Sequence, residues 1–271
     1  MGFYDLSKEE REKLTITIGQ DIADDLSVGK VDRILRYFSD EDTYIRKVGY
    51  LAIGKIYKSD EKIKSTIIEV LKKLMGSDIA KVRQTAIYAA GEIGMIDFET
   101  IEDLFNTGLF DPHHSVRNAV VGSIKKMSEK NPQPVLTWAK QYLNHQDKEV
   151  RKEICHGIEL RGRTHPQDIL PMLEKLQHDE SAEVRNMLIH VLGQISYKKG
   201  CLETVIKTLN NWDNQLLVEK ALDEIVEVHE RYKNFAVLTQ QGATEFINKN
   251  YKKRKAGANK LSENASFRPK K

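Results

Sequence analysis

HDESAEVRNMLIHVLG, residues 178–193, decides the fold. An acidic turn around Asp179 runs into Val184-Arg185, and Val184, Leu188 and Leu192 then recur at i, i+4 and i+8. That spacing puts three apolar side chains on one stripe of a helix. The segment has copies. Val150-Arg151, Val116-Arg117, Val82-Arg83 and Ile45-Arg46 stand upstream, and Val218-Glu219 stands downstream. The Arg positions are 37, 34, 34 and 34 residues apart, and Glu219 follows Arg185 by 34. Six copies at nearly constant period predict an array of repeats rather than one globular core.

Further apolar rows keep the same register. Gly49, Ala86, Val120, Ile154, Leu188 and Leu222 lie three after the Arg position. Ile53, Ala90, Ile124, Ile158, Leu192 and Val226 lie seven after it. They define the second helix of each repeat. Val70, Leu104, Trp138, Met172 and Ile206 lie thirteen before the Arg position, and Ile67, Ile101, Val135 and Ile169 sixteen before. They define a first helix, joined to the second by short polar turns such as Asp111-Pro112-His113-His114. One hairpin cannot bury both faces of both helices, but stacked neighbours can. The predicted fold is therefore all-α, an α-solenoid of about six two-helix repeats.

The ends read differently from the middle. Ser7 and Glu10 form a capping box that opens a helix carrying Leu14, Ile18 and Ile22, so residues 1–28 are expected to cap the N-terminal end. The repeats occupy 29–233, and 234–248 reads as a second capping helix. Residues 249–271 combine little apolar material with much like charge, which predicts a disordered basic tail.

The net charge of +3 conceals a division. The tail carries nine Lys/Arg against Glu263 alone, a charge of +8, which leaves the body at −5. Apolar residues make up 40% and charged residues 31%, a ratio suited to a solenoid with much surface per residue. Cys155 and Cys201 are too few and too isolated for a disulfide framework. No stretch has the length or apolarity to span a bilayer. The expectation is a cytoplasmic monomer, off the membrane.

The turn residues carry a resemblance. Asp40, Asp111, Asp179 and Asp213 each stand six before the Arg position. A turn Asp followed six residues later by Val-preceded Arg resembles HEAT-repeat proteins, over roughly residues 30 to 230. The resemblance implies a ladder of these side chains along the stack, with members Asp40, Arg46, Arg83, Asp111, Arg117, Arg151, Asp179 and Arg185. Ser77 and His145 in place of Asp, and Glu219 in place of Arg, imply broken rungs. Residues 164–200, with LPMLEKLQHDESAEVRNMLIHVLGQISYKKG, look like the HEAT-like repeats of bacterial DNA-alkylation-repair proteins. That likeness implies duplex DNA held on a concave face, in some members with excision of alkylated bases. Phycobilin-lyase-like HEAT proteins and adaptor scaffolds are similar as well.

Several residues could carry chemistry. The Arg row could bind phosphates, but its register with the turn Asp favours structural pairing. Between His113 and His165 ten Lys/Arg face five acids, a local excess that would attract phosphate with strong salt dependence. Lys125, Lys126, Lys152, Arg161 and Arg163 are the candidate nucleic-acid contacts there, and Gly162 would let backbone approach a phosphate. Lys252, Lys253 and Arg254 of the tail are further candidates. Trp212 and Asp213 suit a DNA-glycosylase-like site in type, though Asp213 keeps the register of the structural Asp row. His145, His156, His178 and His190 look dispersed and no zinc-ligand spacing is present, so no metal and no cofactor are expected. Two partner readings stand: duplex DNA on a partly basic concave surface, or another protein on a non-catalytic scaffold. The row one after the Arg position (Lys47, Gln84, Asn118, Lys152, Asn186, Lys220) contains no acid and leans towards DNA.

Overall fold

A computed structural model describes residues 2–252. Six helix hairpins follow one another: α2 (Asp32–Phe38) with α3 (Thr43–Ser59), α4 (Lys64–Met75) with α5 (Ala80–Gly94), and α6 (Glu102–Leu109) with α7 (His114–Lys130). The second three are α8 (Pro132–Tyr142) with α9 (Lys148–Gly157) and its continuation α10 (Glu159–Gly162), α11 (Pro166–Leu173) with α12 (Ala182–Gln194), and α13 (Cys201–Leu209) with α14 (Gln215–Arg231). A preceding helix, α1 (Lys8–Ser27), covers the first hairpin, and α15 (Gln240–Asn250) covers the last. The chain is an α-solenoid, and the described residues form no strand.

The apolar rows bury as their spacing requires. Val82, Ala86 and Ala90 are sealed on α5, as are Val116, Val120 and Ile124 on α7, and Val184, Leu188 and Leu192 on α12. Trp138, Phe98 and Phe105 interlock under the first-helix layer, and the Trp138 indole donates to Asn106 Oδ1 at 2.7 Å. Pro132 and Pro166 open α8 and α11, where the missing N–H would have no helical partner. The last repeat deviates. Leu222 and Val226 are only half-buried, and they lie against α15 beside Ile247 and Tyr251.

The two ends refine the expected boundaries. Ser7 and Glu10 form the reciprocal capping box, and Ile18 and Ile22 of α1 are fully buried. The C-terminal helix starts at Gln240 rather than near 234, because Thr239 Oγ1 accepts the Gly242 N–H and begins the helix there. The first residues of the basic segment are tied to the last hairpin. Asn210 donates to the Asn250 carbonyl at 3.0 Å and accepts the Lys252 N–H at 2.8 Å, while the Tyr251 hydroxyl bonds Gln215 at 2.9 Å. Lys253 and Arg254 lie outside the described residues. No helix among the described residues is long and apolar enough to cross a membrane.

Candidate functional site

Neighbouring second helices pack along their lengths, whereas neighbouring first helices touch more sparsely. The free surface of the second-helix layer is termed the inner face. Glycine makes the approach possible. A Cβ on Gly54 would stand 2.5 Å from Glu92 Cβ, one on Gly91 2.6 Å from Ser123 Oγ, and one on Gly193 2.6 Å from Glu224 Cγ. These glycines all lie eight after the Arg position, and close packing is their role.

The Arg and Asp rows join adjacent repeats. Arg83 grips Asp111 with Nε at 2.7 Å and Nη2 at 2.9 Å, and Arg151 grips Asp179 in the same way at 2.6 and 2.8 Å. Each partner lies 28 residues ahead, in the next turn, not six residues back. Towards its own turn each Arg sends only Nη1, to the backbone carbonyl six residues back. Arg46, Arg117 and Arg185 make that carbonyl bond too. The place 28 ahead of Arg117 holds His145, and Arg117 Nε lies instead 3.8 Å from Glu153. The turn residue has a second task that explains its type. Asp40, Asp111 and Asp179 accept the N–H two residues on at 2.8–2.9 Å, and Ser77 Oγ and His145 Nδ1 do the same at 3.2 and 3.1 Å. Ser and His keep the local turn and lose the rung.

Burial raises the Asp111 and Asp179 carboxyls. The Arg hydrogen bond, the accepted backbone N–H and the Arg charge outweigh it, so both sit below the usual carboxylate range.

The candidate phosphate contacts among the described residues of the solenoid each lie beside a carboxylate. Lys126 lies 3.6 Å from Glu92, Lys152 2.5 Å from Glu149, and Lys125 3.6 Å from Glu159. Arg161 forks onto Asp168 at 2.6 and 2.8 Å, and Arg163 bonds Glu159 at 2.6 Å and Gln194 at 2.7 Å. The local excess of charge seen in sequence is offset because acids stand at helical spacing or on a neighbouring helix. Gly162 offers no approach to a phosphate either. It lies within α10, and a Cβ there would meet Ile169 at 2.4 Å and Ile195 at 2.7 Å. Trp212 and Asp213 face different surroundings. The Trp212 side chain is 1% exposed within the core, while Asp213 reaches His178 at 2.6 Å.

What the inner face does assemble is a cluster at its centre. Helix α9 stops at Gly157 and α10 restarts at Glu159, so His156 and Glu159 turn towards the same space as His190 of α12 and Lys125 of α7. Glu159 is 2% exposed. Its Oε1 takes Arg163, while its Oε2 has no hydrogen-bond partner among the described residues. Around Oε2 stand His156 Nε2 at 3.4 Å, His190 Nε2 at 3.6 Å and Lys125 Nζ at 3.6 Å. Lys125 Nζ also donates to His156 Nε2 at 2.7 Å. Burial raises the Glu159 carboxyl, but the His190 imidazole beside it and the charges of Lys125, Arg163 and His156 prevail and bring it down to about 2. Burial pushes Lys125 down, with Arg163 adding to it, and burial and then Lys125 push His156 down. Behind His190, Nδ1 faces Glu224 at 3.9 Å. The histidines that looked dispersed are thus neighbours, since the 34-residue spacing of His156 and His190 sets them side by side on adjacent second helices. Donor atoms of His156, Glu159 and His190 all lie within 4.8 Å of one another, so these three could hold a metal ion, contrary to the sequence expectation.

Residues 135–222 match the family of HEAT repeats. A solved structure of AlkD2 from Streptococcus mutans is similar over 82% of this chain and 100% of that one, at 18% identity and a TM-score of 0.50. An archaeal HEAT-like repeats protein from Thermococcus onnurineus NA1 is similar over 82% of this chain and 98% of that one, at 16% identity and a TM-score of 0.38. Identities this low speak to fold alone. No curated protein matches the chain. The HEAT-like register accounts for the turn Asp, the Arg and the glycine rows, and the cluster at 125, 156, 159 and 190 is superimposed on it.

Proposed function

We propose that this HEAT-like solenoid is a binding scaffold that holds a polypeptide segment along its second-helix face. One observation carries the reading: the face is charge-compensated. Lys125, Lys126 and Lys152 share it with Glu92, Glu159 and Glu224, and the candidate cations are already engaged with carboxylates. A duplex needs a row of free cations to displace its counterions. A polypeptide brings both signs, backbone donors and acceptors, and apolar side chains, and so suits a mixed surface. Tyr50 and Tyr88, stacked at 5.3 Å on the same layer, add an aromatic platform.

A second reading, duplex DNA, has one observation in its favour. The row Lys47, Gln84, Asn118, Lys152, Asn186 and Lys220 carries no acid, and the chain continues into a basic tail. The test runs both arms on the full chain and on residues 1–248. Random-peptide selection should enrich sequences whose binding is lost on Glu92→Lys with Glu224→Lys and kept after charge changes on the first helices. Fluorescence anisotropy with labelled duplex at two salt concentrations should show weak binding that disappears with the tail. Tight, steeply salt-dependent duplex binding by 1–248, with no peptide enriched, would overturn the scaffold reading in favour of DNA.

A further inference from the structure

We propose that His156, Glu159 and His190 form a site for one divalent transition-metal ion of the zinc class at the centre of the inner face. The inference does not depend on what the solenoid binds.

The donor set comes first. Two imidazoles and one carboxylate are an ordinary three-ligand set for zinc, with a fourth position left for water or an incoming donor. The spacing agrees. Metal–ligand bonds of about 2.0–2.2 Å in tetrahedral geometry separate the ligand atoms by about 3.3–3.5 Å. Glu159 Oε2 stands 3.4 Å from His156 Nε2 and 3.6 Å from His190 Nε2.

The carboxylate is an independent pointer. Glu159 is 2% exposed, and its Oε2 makes no hydrogen bond of good geometry among the described residues: the Lys125 ammonium and two imidazoles stand 3.4–3.6 Å away, a loose setting for a buried carboxylate oxygen that a bound ion would tighten. Arg163 holds the other oxygen at 2.6 Å and so fixes the carboxylate plane. Glu224 behind His190 Nδ1 is placed to orient that ring once the two close from 3.9 Å, the supporting arrangement usual for a metal-bound imidazole. The floor of the site is buried, while His156 and His190 are 34% and 39% exposed, so the fourth position opens towards the inner face.

Lys125 is the built-in competitor. Its ammonium lies 2.7 Å from His156 Nε2 and 3.6 Å from Glu159 Oε2, where it serves as the local cation. Metal entry requires this flexible side chain to swing away. Its carbon chain is long enough to carry the charge into solvent. Removing the ammonium should therefore tighten metal binding, the opposite of what a merely structural Lys–Glu–His network would give.

The measurement uses the full chain without an affinity tag, stripped with a chelator and titrated with Co2+ followed by Zn2+. The expected result is one equivalent of Co2+ with the intense visible absorption of tetrahedral coordination, displaced by Zn2+. His156→Ala and His190→Ala should each weaken binding more than about 100-fold, beyond the roughly 10–100-fold cost of losing a supporting group. Lys125→Met should tighten it by about tenfold, the converse of that supporting-group scale. His190→Gln, which keeps the volume, serves as the second variant should the alanine forms lose their helical circular dichroism. A folded wild-type chain that takes up no Co2+ at millimolar concentration overturns the proposal. So does uptake that is unchanged in the His156 and His190 variants, or Lys125→Met binding more weakly than wild type.

Discussion

At the scale of single residues, the chain separates two jobs that one Asp can do together. Asp111 accepts the His113 N–H within its turn and receives the Arg83 fork from the preceding repeat. Its side chain is nearly inaccessible, so truncating it leaves Arg83 unpaired in a poorly hydrated place. Asp111→Ala should cost about 3 kcal/mol by urea unfolding, and the apolar pair Arg83→Met with Asp111→Leu should recover most of that loss. The pH dependence has a definite sign. Asp111 is held below its ordinary value of 3.8, so its contribution is complete above that pH and disappears as pH falls through the lower folded value. The difference between wild type and Asp111→Ala should be constant near neutrality and shrink below pH 3.8. His145 does only the local job, through Nδ1 and the Asp147 N–H. His145→Asp should therefore supply the missing partner for Arg117 and raise stability by about 1 kcal/mol, read from the denaturation midpoint.

At the scale of elements, second helices are drawn together wherever glycine removes a Cβ. Gly91→Ala would gain about 1 kcal/mol of helix propensity but must push Ser123 away from a 2.6 Å contact. Overpacking of this kind costs about 1–3 kcal/mol, so the melting temperature should fall. Gly19 is the control. It lies inside α1 with nothing within 4 Å of its missing Cβ, and Gly19→Ala should raise stability by about 0.5–1 kcal/mol. The glycine row was also the legible trace of the central cluster. Eight after the Arg position, the fourth hairpin has Glu159 and the third has Lys125 where the first, second and fifth copies have Gly54, Gly91 and Gly193, and the sixth has Glu227. Five after it, the row reads Leu51, Tyr88, Gly122, His156, His190 and Glu224. Departures from a packing row, taken with histidines one period apart, are the signal that the reading by local charge passed over.

At the scale of the whole molecule, stability is passed between neighbours. Helix α15 buries Ala243 and Ile247 against the last hairpin and half-covers Leu222 and Val226. Truncation before Gln240 should speed amide exchange throughout α14 while leaving α5 and α7 protected, since a solenoid couples each repeat chiefly to its neighbours. Uniformly faster exchange along the chain would refute that picture of local coupling.

Fold class, repeat register, helix polarity and the buried rows were all legible in the sequence, because each depends on periodicity along one chain. The direction of the Arg fork was not. Six residues of sequence separate Arg117 from its own turn Asp, yet the guanidinium of Arg83 closes on a carboxylate 28 residues ahead, because stacking sets the next turn's carboxylate against Nε and Nη2 while Nη1 stays on the Arg's own turn. The charge of the inner face was likewise decided in three dimensions. Counting Lys and Arg between His113 and His165 found an excess, but charge acts over ångströms, and Glu92, Asp168 and Glu224 enter from outside that window. For the same reason His156, Glu159 and His190 became one cluster only when α9, α10 and α12 packed side by side, since proximity across repeats is a property of the stack and not of the chain order.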